Sequence, residues 1–153
     1  MDCRPLSLAD ALEICSWRYP APYDVYDMPD WSAVCRQNWG IASEETRREE
    51  FYAVTENEKL TGFFRFQRRG YALTVGLGLC PDACGRGLGG PLMALIAREA
   101  RRRFGRGTLT LIVRPFNRRA IACYRRAGWA AGETVKKQTP SGEASFLTMT
   151  CSF

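Results

Sequence analysis

Apolar positions along the chain change their period several times, and each change marks an element. From Ser7 to about residue 17 they follow helical spacing, with Ser7 placed to cap the helix. Residues 18–31, "RYPAPYDVYDMPDW", are dense in aromatic residues, prolines and aspartates and follow neither a helical nor a strand period. A second helical region lies within 32–50, interrupted near "WGIAS". The pattern then becomes that of strands at 51–55, 60–66 and 71–79, joined by turns at "ENEK" and "QRRG", which predicts an antiparallel meander. Helical spacing returns through Leu88, Leu92, Leu95, Ile96 and Phe104. The near-continuous apolar run "TLTLIV" at 108–113 reads as a strand buried in a parallel pair, and strand, helix and strand in this order make a right-handed crossover. Asn117 can cap a further helix carrying Ile121 and Tyr124 and ending at Gly128. A final hairpin pairs "GETVKKQ" with "ASFLTMTC" around "TPSG". The expected architecture is one α+β domain over residues 1–153. Its mixed sheet begins as an antiparallel meander, continues through a parallel crossover and is flanked by helices.

The junction between the third strand and the long helix reads "CGRGLGGPL", with glycines at 85, 87, 89 and 90. Glycines gather wherever a strand turns sharply into a helix, and alone they signal little. At a helix N-terminus, however, unpaired backbone N–H groups and the positive end of the helix dipole bind anions when no side chain holds the ligand away. Pro91 suits the first helical turn, where its missing N–H costs nothing. In this context the segment reads as a phosphate cradle.

Composition narrows the chemistry. The chain of 153 residues, 46% apolar and 25% charged, is long enough for one substantial core. No run approaches the roughly 18 apolar residues of a membrane span, and "MDCRPLSLAD" lacks the basic start and apolar stretch of a signal segment, so the expectation is a cytoplasmic protein without membrane contact. Seven cysteines include no C-x-x-C pair and read as buried apolar thiols in a reducing compartment. With no histidine, zinc sites and Ser-His or Cys-His catalysis lose their usual ligand or base, and no metal is expected. The net charge of +6 peaks in "REARRRFGR" at 98–106, a solvated helix face or an attractor of polyanions.

The order of elements resembles the GCN5-related N-acetyltransferases (GNAT), a superfamily that moves an acetyl group from acetyl-coenzyme A to an amine. "LCPDACGRGLGGPLM" is similar to its acyl-CoA signature, Gln or Arg, two variable residues, then Gly-x-Gly or Gly-x-Ala, with Gly87 and Gly89 on the two small positions and Cys84 where Gln or Arg usually stands. "VRPFNRRAIACYRRAGW" is similar to its second signature, an Asn before a helix and a Tyr seven residues later.

The resemblance implies acetyl-CoA as acetyl donor, held by backbone groups of Gly85, Arg86, Gly87, Leu88, Gly89 and Gly90. Arg86, Arg118 and Arg119 would complement cofactor phosphates, and Asn117 would serve either the pantetheine region or simply its helix cap. It implies Tyr124 as the catalytic proton donor, and a phenol with a pKa of about 10 is protonated at neutral pH. Leu77 and Leu79, beside Gly76 and Gly78, would offer backbone N–H groups to the thioester oxygen at a bulge. Residues 71–79 contain no carboxylate, so the base is left open among Asp24, Asp27, Asp30, Asp82 or a water chain. Because the superfamily commonly builds its acceptor pocket around the first two helices, Tyr23, Asp24, Tyr26 and Asp27 are candidates for binding a cationic amine, of a small molecule or a peptide, in a monomer or homodimer. Two other readings stay open. One is a CoA-binding interaction domain without catalysis. The other is a basic nucleic-acid-binding module, which leaves both coenzyme signatures without a use.

Overall fold

The structure, a computed structural model, describes residues Met1 to Phe153. In chain order the elements are β1 (Asp2–Pro5), α1 (Leu8–Ser16), α2 (Trp31–Arg36), α3 (Glu44–Glu50), β2 (Phe51–Glu56), β3 (Lys59–Arg69), β4 (Ala72–Leu79), α4 (Gly89–Phe104), β5 (Thr108–Val113), α5 (Arg118–Arg126), β6 (Ala130–Thr139) and β7 (Gly142–Ser152), with 3-10 turns at Tyr23–Tyr26, Gly40–Ala42 and Pro81–Ala83. The strands form one mixed sheet in the order β1-β2-β3-β4-β5-β7-β6, flanked by helices in an α+β arrangement. β4 and β5 are its parallel pair, with Leu73 opposite Leu109 and Thr74 opposite Thr110. No helix is long and apolar enough to cross a membrane.

The chain packs as two compact units, Met1–Arg65 with Leu77–Arg86, and Phe66–Gly76 with Gly87–Phe153. In the first unit Ile14, Val34, Ile41, Val54 and Phe64 are fully buried, and Tyr52 stacks on Phe64 at 4.6 Å between ring centroids. In the second the buried face of α4, Leu92, Leu95 and Ile96, belongs to a core with Leu109, Leu111 and Met149, and Phe66 meets Phe104 edge-on at 5.4 Å. Charge separates the two units. The first holds eight basic and thirteen acidic residues, a balance of −5, and the second fourteen and three, a balance of +11, which together make the chain's +6.

The edge strand β1 has no signal in the sequence, because "DCRP" neither alternates nor carries β-branched residues; its order comes from antiparallel pairing with β2, Asp2 opposite Thr55 through Pro5 opposite Tyr52. A tight polar knot holds the β1–α1 junction. Ser7 and Asp10 form a capping box, and the Asp10 carboxylate also takes a two-pronged bond from Arg4. Burial alone would push this carboxyl up, but the bonds from Arg4 and Ser7 outweigh it and bring its pKa down to about 2. A carboxyl lowered in the folded state stabilises at pH above its ordinary value near 3.8, and the contribution disappears as pH falls toward 2. Asp10→Asn should therefore cost about 1–3 kcal/mol at neutral pH. Its melting temperature should converge on that of the unmodified protein between pH 4 and 2; an equal gap at pH 2 and pH 7 would rule out an ionic origin.

Other departures from the sequence pattern have plain causes. β5 is not buried on both faces: Leu109, Leu111 and Val113 are buried while Thr108 and Ile112 are exposed, and it pairs antiparallel with β7 as well as parallel with β4. Helix α5 buries none of its residues fully, Ile121 and Tyr124 being half-buried. Of the seven cysteines, all free thiols, only Cys15 and Cys80 are buried; Cys35 is exposed and the others are half-buried. The aromatic segment contains a 3-10 turn, and α2 begins within its end at Trp31, capped by Asp30.

Candidate active site

The glycines of the 84–90 loop are there for different reasons. Gly85 and Gly87 have φ of +76° and +78°, a conformation that favours glycine, and a Cβ on either would point into open space. Gly90 is likewise open. Gly89 answers a packing need instead, since a Cβ there would stand 2.6 Å from the Cys123 sulfur of α5. Leu88 is the N-cap of α4 and makes no side-chain cap, and the first turn carries no acidic residue. A helix of sixteen residues thus begins with backbone donors that no side chain of its own caps, behind a loop whose glycines expose the main chain. That donor set fits an anionic diphosphate such as that of coenzyme A, and nothing in it depends on the side chain at position 84. Cys84 itself is half-buried, its sulfur 3.9 Å from the Leu79 carbonyl oxygen. Arg86 is exposed and lies 3.8 Å from Glu56.

In the second unit Asn117 caps α5, its side-chain oxygen accepting from the Ala120 N–H. Tyr124 follows two turns later, half-buried, with its ring 6.4 Å from that of Trp129 and tilted by 49°. The end of α5 is locked beneath it, since the Tyr124 carbonyl accepts from the N–H groups of Ala127 and Trp129. Arg118 and Arg119 are exposed on the first turn, and Arg118 belongs to the rim of an open recess of about 610 Å³ against β6 and β7, floored by Ile121 and Leu147.

In the first unit, Leu77 and Leu79 are half-buried at the end of β4. The 3-10 turn Tyr23–Tyr26 leaves Asp24, Val25 and Tyr26 exposed and Tyr23 half-buried. Two of the four candidate bases are engaged with backbone. Asp27 accepts the Tyr19 N–H at 2.9 Å and Asp30 accepts the Ala33 N–H at 2.8 Å, whereas Asp24 and Asp82 are exposed. The side chain the sequence does not single out is Tyr19, whose hydroxyl donates to the Leu79 carbonyl at 2.7 Å. Its only signal is an aromatic next but one to Trp17, and a partner sixty residues away leaves none in local spacing.

Residues 8–129 match the acetyltransferase (GNAT) family. No curated protein sequence matches the chain. Among solved structures, a ribosomal-protein-alanine N-acetyltransferase from Brucella melitensis is 18% identical with a TM-score of 0.74, over 100% of both chains. A spermidine N-acetyltransferase SpeG chimera from Vibrio cholerae and hSSAT is 14% identical over 97% of this chain and 93% of that one, with a TM-score of 0.75. The aminoglycoside acetyltransferase AAC(6')-Ib, in complex with coenzyme A and kanamycin, is 19% identical over 95% and 92%, with a TM-score of 0.70. At these identities the solved structures establish the fold, and the family match over most of the chain establishes the kinship. The chain belongs to the GNAT acetyltransferase family.

Proposed function

We propose that this protein transfers an acetyl group from acetyl-CoA to a primary amine of a small molecule or peptide. The observation that carries the reading is the open, positive-φ glycine loop leading into the uncapped N-terminus of α4, at the position of the family's acyl-CoA signature. Acetyl-CoA supplies the acyl group as a thioester. Gly85 to Gly90 hold its diphosphate through backbone N–H groups, and Arg86, Arg119 and Asn117 serve its phosphates and pantetheine region. Leu77 and Leu79 offer main-chain N–H groups to the thioester oxygen, and the Tyr124 hydroxyl gives its proton to the departing sulfur. We further propose Tyr23, Asp24, Tyr26 and Asp27 as the acceptor segment. The excess of thirteen acidic over eight basic residues in their unit supports a cationic acceptor, and the exposed Asp24 and Tyr26 offer it charge and an aromatic face. The free thiols support a reducing, cytoplasmic setting.

Two measurements in sequence test this. Acetyl-CoA should raise the melting temperature, and free thiol should then be released with at least one amine of a panel containing spermidine, kanamycin and a peptide with an N-terminal alanine. Stabilisation without thiol release from any amine would favour a CoA-binding domain that has lost catalysis. Absence of stabilisation would sink the acetyltransferase reading.

A further inference from the structure

The peptide groups around Leu79 are oriented one by one. A Cβ on Gly62 of β3 would stand 2.7 Å from the Gly78 carbonyl oxygen, so that oxygen lies on the β3 side. The sole cis peptide of the chain is Ala21–Pro22, so the Gly78–Leu79 peptide is trans, and the Leu79 N–H points away from β3. The next peptide confirms the alternation: the Cys80 N–H donates to Thr61 of β3 at 2.8 Å, and the Leu79 carbonyl on its opposite side accepts the Tyr19 hydroxyl at 2.7 Å. Both main-chain groups of Leu79 therefore face the same way, off β3, and Tyr19 holds one of them, a carbonyl to which the Cys84 thiol also donates at the longer distance of 3.9 Å. The parallel ladder with β5 is confined to Leu73 and Thr74, well before Leu79. Tyr19 is itself braced by the bond from its backbone N–H to Asp27, within the acceptor segment.

We propose that Tyr19 is a positioning residue for acyl transfer: by clamping the Leu79 carbonyl, it fixes the direction of the Leu79 N–H and ties that donor to the acceptor segment through Asp27. The proposal rests on the acetyl-CoA-dependent function above and adds a residue to it. Burial raises the Tyr19 phenol well above the usual range, and Cys84, Cys80 and Asp27 push the same way, so the hydroxyl stays protonated and remains a donor. The clamp acts on geometry alone. The Leu79–Cys80 peptide is bonded at both ends, which leaves little rotation at Leu79, and a donor misplaced by about 1 Å can cost about 100-fold in rate.

The test uses the full chain and its Tyr19→Phe variant, which keeps the ring and its packing. Carbon-13 NMR of bound [1-¹³C]acetyl-CoA reads polarisation of the thioester carbonyl, and steady-state kinetics are taken with an acceptor found in the amine panel. The expected result is a downfield carbonyl shift in the unmodified protein that is reduced in the variant, a kcat lower by about 10- to 100-fold, acetyl-CoA affinity changed by no more than about twofold, and faster amide exchange at Cys80. A variant with unchanged carbonyl shift and kcat would overturn the proposal. So would a fall in kcat matched by an equal loss of acetyl-CoA affinity, since that is the mark of a general structural role. Failure of the unmodified protein to bind acetyl-CoA would instead overturn the function on which the proposal stands, and the two failures are thereby told apart.

Discussion

Gly87→Asp is expected to give a folded protein that has lost acetyl-CoA binding by about 1000-fold. The position has φ of +78° with open space beyond it, so an aspartate has room, and Asp and Asn are the side-chain-bearing residues that tolerate this conformation best. Folding should lose about 1 kcal/mol, a shift of a few degrees in melting temperature. Binding suffers far more, because two unit charges about 4 Å apart repel by about 4 kcal/mol at an effective dielectric constant of about 20. Gly87→Asn, with the same shape and no charge, separates the two causes and should retain measurable affinity. Titration calorimetry of both variants decides the matter. Unchanged affinity in Gly87→Asp would remove the loop from the coenzyme site.

Tyr124→Phe should leave acetyl-CoA affinity nearly constant and lower kcat by about 100- to 10,000-fold, the usual range for loss of a positioned general acid. The ring sits against Trp129 and the Tyr124 carbonyl closes the end of α5, and phenylalanine preserves both. Any loss of turnover therefore reports the hydroxyl. Full turnover at saturating amine would show that solvent protonates the thiolate and that Tyr124 serves only to pack.

These variants can be chosen because much of the relevant chain is legible in its sequence, though unevenly. Ser7, Asn117 and the glycine loop are readable because a cap or a strand-to-helix turn is a local event: the residue that needs the special chemistry lies within a few positions of the backbone it serves. β1 is not readable, since its strand state comes wholly from β2, some fifty residues on. Asp27 and Asp30 look alike in the sequence as carboxylates in an aromatic loop, yet each spends an oxygen on a backbone N–H, one of them at Tyr19. Tyr19 escapes for the converse reason. Its contribution lies in a single bond to a carbonyl, and a carbonyl carries no residue identity for a sequence to display. Of the two β4 glycines that read as marks of a bulge, Gly78 sits where the Phe63 ring leaves no space for a Cβ, whereas a Cβ on Gly76 would meet nothing.

The two ends of the sheet bear on how the protein behaves when concentrated. A strand with an unpaired side invites another chain to add to it, and long flat edges are where soluble proteins stack into aggregates. Here one border, β1, is only four residues long and ends in Pro5, which has no N–H to offer. The other, β6, is ten residues long and almost wholly exposed, but it carries Lys136 and Lys137 in its second half and breaks register with β7 between Ala131 and Thr134. Neither border presents a smooth, neutral template. Replacing Lys136 and Lys137 with valine would leave Glu133 as the only charge on β6, and the sheet would then be more open to growth from that side.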